Sequence, residues 1–421
     1  MALNPAIIKS VEQLGYRVTV GDVSAQAGLE VNLAQQGLLA LASDAGGHLQ
    51  VSDVGEIVYL FPNDFRAILR NKYWQLQLKE WWEKVWKVLF YLIRISFGIV
   101  LIAFIIIMVI AIYIILSSRD NEGNSNSDRG GSGGGIIFFP SYWDIFWLLD
   151  PGSDYNRYQH RQQSAANASE PQKQMNFLEA IFSFLFGDGN PNFDLQERRW
   201  QEIGTVIRNN GGAVAAEQVA PYLDNIDVYN RETEDYILPV LTRFNGYPQV
   251  SPQGEIIYYF PELQVTARRR EKHSISAYLR EKLWRFSEAG SGQVVAAMGL
   301  GIVQFVLAII LGSLLRDYAV TGGFIGFVSG IYWLLFGYAT GFLVIPLVRY
   351  FWIQWKNSQV QERNQKREAR TELISNADAE LRQKIAYARQ FAEQKVITDA
   401  DITYSTEQDL LEQETERSGD W

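Results

Sequence analysis

A run of 22 residues without a single charge, Ile95–Leu116 (ISFGIVLIAFIIIMVIAIYIIL), limits what this chain can fold into more than any other feature. It matches the roughly 20 apolar residues needed to cross a ~30 Å hydrocarbon core, whereas a buried helix of a soluble protein keeps a polar face. Val294–Leu315 is a second such run of 22 residues, with one polar side chain, Gln304, at its centre. Gly322–Val348 follows after a short link holding Arg316 and Asp317, so the two read as a helical hairpin. The expected class is a mainly α membrane protein with transmembrane helices at 95–116, 294–315 and 322–348.

Basic clusters mark cytoplasmic ends. They lie between Arg66 and Arg94, between Arg268 and Arg285, and between Arg349 and Arg370. One crossing at 95–116 would leave the second cluster on the wrong side, so something must return the chain. The candidate is 136–149 (IIFFPSYWDIFWLL), after a Gly/Ser/Asn-rich linker at 117–135. Fourteen residues make only ~21 Å of helix, and Pro140 and Asp144 interrupt them, so a re-entrant or interfacial segment stays open. Residues 150–194 read as a linker with an amphipathic stretch. The start, MALNPAIIKSVEQLGY, lacks the basic head and apolar core of a signal peptide.

The most specific pattern is a duplication. GHLQVSDVGEIVYLFP (47–62) matches GYPQVSPQGEIIYYFP (246–261) at a constant offset, with ten identities in sixteen positions. Such repeats define folding units. The shared signature includes Gly55, Glu56, Tyr59, Phe61 and Pro62, matched by Gly254, Glu255, Tyr258, Phe260 and Pro261. Three helical stretches precede each copy, and a Gly-containing turn joins two short strands. Helix–helix–helix–hairpin resembles the winged-helix module, giving two winged-helix-like α+β modules, at 1–65 and 195–265, plus a small helical transmembrane domain. After each module comes a basic, aromatic stretch, at 66–94 and 266–292, expected as an interface-lying amphipathic helix. Trp74, Trp81, Trp82, Trp86 and Trp284, with Trp352 and Trp355 beyond the last span, are the expected headgroup-level rings.

Winged helices often read DNA, which requires Lys and Arg against phosphates. Residues 1–70 carry four basic against seven acidic side chains, and residues 198–266 five against nine. The third helical stretch of the first module, VNLAQQGLLALAS, has no basic residue, and that of the second is interrupted by Pro239. An acidic surface repels a polyanion, so nucleic acid is an unlikely partner and protein contact the favoured one.

In the third span Gly322, Gly326 and Gly330, then Gly337 and Gly341, form a small-residue face for helix packing, either within the hairpin or between copies as a homo-oligomer. Residues 349–396 read as a charged helix, able to fold back on the modules. Residues 397–421 form an acidic tail, with eight acids against one Arg, expected to be solvated or docked on a basic surface. With no Cys and three scattered His, thiolate metal sites, disulfides and Cys nucleophiles are excluded. No Walker loop or HExxH occurs, and GGSGGG at 130–135 is a linker. Catalytic, cofactor-binding and metal sites are therefore expected to be none.

The duplicated VSxxGEIxYxFP, the FFPSYWDIFWLLDP segment and the KVITDADITYSTEQDLLEQE tail are similar to a family of integral membrane proteins of cyanobacteria and plant chloroplasts of unknown function. The resemblance implies a plasma or thylakoid membrane. Plant members have carried an iron–sulfur-assembly label, which the absence of Cys keeps from this chain. The expected function is a multi-pass integral membrane scaffold or adaptor, not an enzyme. It would present its modules at the cytoplasmic face to other membrane or membrane-associated proteins and contact the lipid bilayer. A membrane-tethered transcription regulator, or a small channel or transporter component, is the alternative.

Overall fold

The computed structural model describes residues 4–72, 74–122, 175–224, 226, 233–269, 272–317 and 322–407. They fall into two units. One is built from Met1–Trp81, Pro191–Leu283 and Ser358–Trp421, the other from Trp82–Asn190 and Trp284–Asn357.

The first module opens with helix α1 (Pro5–Leu14), which Asn4 caps by accepting from the Ala6 N–H and which stops at Gly15 in the left-handed region. Strand β1 (Arg17–Thr19) leads into α2 (Val20–Ala27) and α3 (Val31–Ala45). A hairpin of β2 (His48–Ser52) and β3 (Ile57–Leu60) follows. Ile7, Val11, Val23, Ala34, Leu38 and Leu41 bury one face of each helix against Tyr59 and Phe61 of the hairpin. Helix α4 (Phe65–Lys72) closes this core with Phe65 and Leu69.

The stretch 66–94 is not one interface-lying helix. Its first part is α4, packed on the module. The rest belongs to α5 (Trp74–Glu122), 49 residues that run without a break into the apolar segment. No Gly or Pro stands between Trp74 and Ser96 to stop it, and the result is roughly 74 Å of helix. The expected returning segment, 136–149, lies outside the described residues. Helix α6 (Phe177–Phe186) precedes the second module.

That module comprises α7 (Leu195–Asn209), β4 (Ala213–Val214), α8 (Ala216–Val219), α9 (Leu238–Phe244) and the hairpin of β5 (Tyr247–Val250) and β6 (Ile256–Tyr259). Pro239 does not interrupt the third helix. It sits in the first turn of α9, where its missing N–H costs nothing. After α10 (Pro261–Gln264) comes β7 (Val265–Thr266).

Of the second expected interface helix, 266–292, the described residues up to Gly290 are not helical. Residues 272–290 run as a strap, tied by side chains that serve its backbone on both sides. Asn209 accepts from the His273 N–H and donates to its carbonyl, at 3.1 and 2.8 Å. Asn192 does the same at Lys282, 2.8 Å each way, and Asn364 at Glu281, 2.9 Å each way. Asn357 repeats the clamp at Trp284. With its N–H and C=O groups satisfied from outside, the strap loses the drive to coil.

Helices α11 (Ser291–Asp317) and α12 (Gly323–Ser375) follow. The charged stretch 349–396 is not a separate helix: α12 carries its apolar half straight into Ser375, and α13 (Ala379–Ala388) then packs on β6. The described part of the tail, up to Glu407, is docked. β8 (Lys395–Val396) pairs parallel with β7, and β9 (Ile402–Ser405) adds antiparallel to β2, giving a first sheet of order β1-β3-β2-β9. The second sheet is β4-β6-β5.

Among the described residues, three helices are long and apolar enough to cross a membrane: Trp81–Ser118 within α5, and α11 and α12. In their unit Met108, Ala111 and Ile115 pack with Ala308, Leu311, Val328 and Leu335. The close approach is made at Gly301 and Gly312 of α11. An added Cβ there would lie 2.4 Å from the Phe342 ring and 2.1 Å from the Tyr332 hydroxyl. Gly322, just before α12, and Gly330 and Gly337 within it have nothing within 4 Å, Gly341 meets only Ile345 of its own helix, and Gly326 is half-buried.

Candidate functional site at the seam of the two modules

The two modules meet across α2 and α7. A Cβ on Gly204 would lie 2.9 Å from the Ala25 Cα, and one on Gly21 would collide with the Glu262 carbonyl oxygen at 1.7 Å. Glycine at both places lets backbone approach backbone. Beside them sits Asp22, almost fully buried. It forms a capping box with Thr19: the Thr19 N–H donates to Oδ2 at 3.0 Å, and the Asp22 N–H donates to Thr19 Oγ1 at 3.1 Å. The same carboxylate accepts from the Ala267 N–H and Thr266 Oγ1, 3.0 Å each, and from the Arg208 guanidinium at 2.5 Å. One side chain thus caps a helix in the first module and ties down two segments of the second. Full pairing of this kind is what makes a buried charge tolerable.

Two further ionic clusters hold the C-terminal segments. Arg367 of α12, 1% exposed, donates to Asp224 at 2.5 Å and the Leu279 carbonyl at 2.9 Å, and lies 2.9 Å from Glu281. Arg199 also pairs with Asp224, and Arg363 forks onto Glu281 at 2.8 and 2.6 Å. Burial works against both carboxylates, yet the guanidinium groups outweigh it and hold both pKa values below the ordinary range. On α13, Lys384 is buried between Glu217, at 2.8 Å, and Glu234, which also accepts from the Tyr258 hydroxyl at 2.8 Å. Burial disfavours the ammonium, but the two carboxylates prevail and raise its pKa. Burial and then Glu234 push the Tyr258 phenol up. Chemically, these groups join segments that are far apart in sequence.

The duplicated signature shapes the hairpins. Gly55 and Gly254 take left-handed turn positions, φ +84° and +92°. Ser52 and Ser251 close equivalent turns: their Oγ atoms accept from the Glu56 and Glu255 N–H at 3.1 and 3.0 Å. Tyr59, Phe61, Tyr258 and Phe260 are buried in their module cores. Pro62 follows β3, and Pro261 opens α10. Glu56 and Glu255 are half-buried, and burial followed by a hydrogen bond to Glu380 raises the Glu255 pKa. The paired Gly47 and Gly246 are explained too, because a Cβ would meet the Phe61 and Phe260 rings at 2.9 and 2.4 Å.

Of the aromatic set, Trp74 begins α5, and Trp81, Trp82 and Trp86 are exposed along it. Trp352 and Trp355 are exposed on α12, and Trp284 meets Trp352 edge-on at 5.2 Å between centroids. Sequence reasoning missed Asp22 and the asparagine clamps. The Thr-x-x-Asp spacing at 19–22 signals a cap, but nothing local signals partners some 200 positions away.

No family model and no solved structure matches the chain. It is 40% identical over 422 residues to the uncharacterized chloroplastic protein At5g03900 of Arabidopsis thaliana, covering 97% of this chain and 79% of the plant protein. With that identity over that length, the chain belongs to the same conserved, chloroplast-type family as the plant protein.

Proposed function

We propose that the chain is a multi-pass integral membrane scaffold or adaptor whose two winged-helix-like modules, fused along their seam, receive other membrane-associated proteins at the cytoplasmic face. The observation that carries this reading is the outward side of α3, the position from which a winged helix would address a partner. It presents Leu33 and Leu39, 46% and 43% exposed, among Asn32, Gln35 and Gln36, with no Lys or Arg. A neutral face with exposed leucines suits a protein surface and offers nothing to phosphate. The three long apolar helices and the exposed tryptophans support residence in the bilayer. Self-association would use the open glycine face of α12.

A photo-crosslinking residue at Leu39, in the native membrane, tests the reading. Discrete protein adducts that are absent when the same probe replaces exposed Gln253 are expected. DNA adducts, or none, would overturn it.

A further inference from the structure

At the seam, between α2, the last turn of α7 and the segment after α13, lies a cavity of about 440 Å3. That volume is in the range of small-molecule sites, roughly 300–1,000 Å3. Its wall is unlike a core: among its lining side chains only Ala25, Leu263 and Ala392 are apolar. Carboxamides dominate the remainder, from Gln26, Asn209, Asn210, Gln264 and Gln394. So polar a lining suits a polar ligand better than an apolar one.

The charges point one way. Arg208, Lys272 and Arg389 line the cavity with His273, against the single carboxylate of Glu393. This excess of cations stands in a chain whose net charge is −9. Arg208 is held at the back by Asp22, while Lys272 and Arg389 are exposed at the rim. The floor is fixed. Gln264 Nε2 donates to the carbonyls of Phe391 and Gly211 at 2.7 and 3.2 Å, and Asn209 clamps His273. The negative end of α7, which would oppose an anion, is covered. The Ile207 carbonyl accepts from the Gly212 N–H at 2.8 Å, and the Val206 carbonyl from Asn210 Nδ2 at 2.8 Å.

We infer that this cavity binds a small soluble anion bearing phosphate or carboxylate groups. Lys272 and Arg389 engage the charge, and Gln394 beside them offers a carboxamide to the rest of the molecule. Because its walls come from both modules and from the tail segment, an occupant would brace the seam. This inference does not depend on the scaffold reading.

Pyrophosphate and citrate, as phosphate and carboxylate probes, can be titrated calorimetrically into the full chain in detergent at constant ionic strength. Melting of the same samples gives a second readout. Binding of either probe with a raised melting temperature is expected, and the preferred probe identifies the anion class. The double variant Lys272→Glu, Arg389→Glu should lose at least about tenfold in affinity, some 1.4 kcal/mol, whereas Lys9→Glu, at an exposed site on α1, should not. Both altered side chains are exposed, so the unliganded melting temperature should hold. Failure of both probes to bind, or equal weakening by Lys9→Glu, would overturn the inference.

Discussion

Glu281 lies on the strap with its carboxylate turned inward to Arg363 and Arg367. Removing one partner of a buried pair leaves the other uncompensated, at a cost of about 3–5 kcal/mol. Glu281→Gln should therefore lower stability by about 3 kcal/mol, part of the loss being spared because Arg367 keeps Asp224. The pH dependence has a definite sign. Asp224 and Glu281 have folded-state pKa values below their ordinary ones, so their stabilisation is complete above the unfolded values, near 4. It drains away as pH falls through the folded values. Melting followed from pH 7 to 2 should show an acid limb that is shallower in Glu281→Gln. Superimposable limbs would show that these pairs carry no pH-dependent stability.

Among the elements, the glycines of the apolar helices divide into two kinds. Gly312 of α11 has no room for a methyl group, so Gly312→Ala should cost about 1–3 kcal/mol by overpacking against Tyr332. Gly330 of α12 faces open space, so Gly330→Leu should leave the melting temperature unchanged while dissociating any oligomer seen in mild detergent. A destabilised Gly330→Leu would mean that the face is already covered within the chain. The two hairpins also treat their outer edges differently. In the first, Leu49 turns its N–H and C=O outward to Thr406, and β9 occupies the edge. In the second, the equivalent residue is Pro248, which has no N–H to offer an added strand. Exposed strand edges invite association. Deleting residues 398–421, or replacing Pro248 with Leu, should then raise the self-associated fraction measured by sedimentation, the deletion more strongly. These contrasts mark what the sequence could reveal. α1, α2, α3 and the hairpins were legible because caps, glycine stops and alternation are local. The strap was not: its Trp, Lys and Arg content suits an amphipathic helix equally well, and the asparagines that hold it extended lie up to 90 positions away. β9 was hidden for the same reason, its partner lying over 350 positions back. Of the candidate site, the cap at Thr19 and Asp22 could be read but its other partners could not.

For the whole molecule, the seam fixes how crossings can be counted. The modules are packed together through Asp22 and Arg208, so both must lie on one side of any bilayer that α5 crosses. On the proposed multi-pass reading, α5 alone therefore cannot separate the modules, and α11 and α12 would be a crossing and a return. Cysteines placed at the exposed hairpin tips, Val54→Cys and Gln253→Cys, should react with an impermeant thiol reagent from the same side of sealed vesicles. Labelling from opposite sides would break this topology. The contacts of Arg17 carry a consequence for synthesis. This residue donates to the Ile397 carbonyl, 380 positions further along, and a ribosome adding ~5–20 residues per second takes roughly 20–75 s to cover that distance. All three apolar helices have been made by then. The module that emerges first is therefore finished last, its sheet edge waiting for a strand that arrives only after those three helices have left the ribosome.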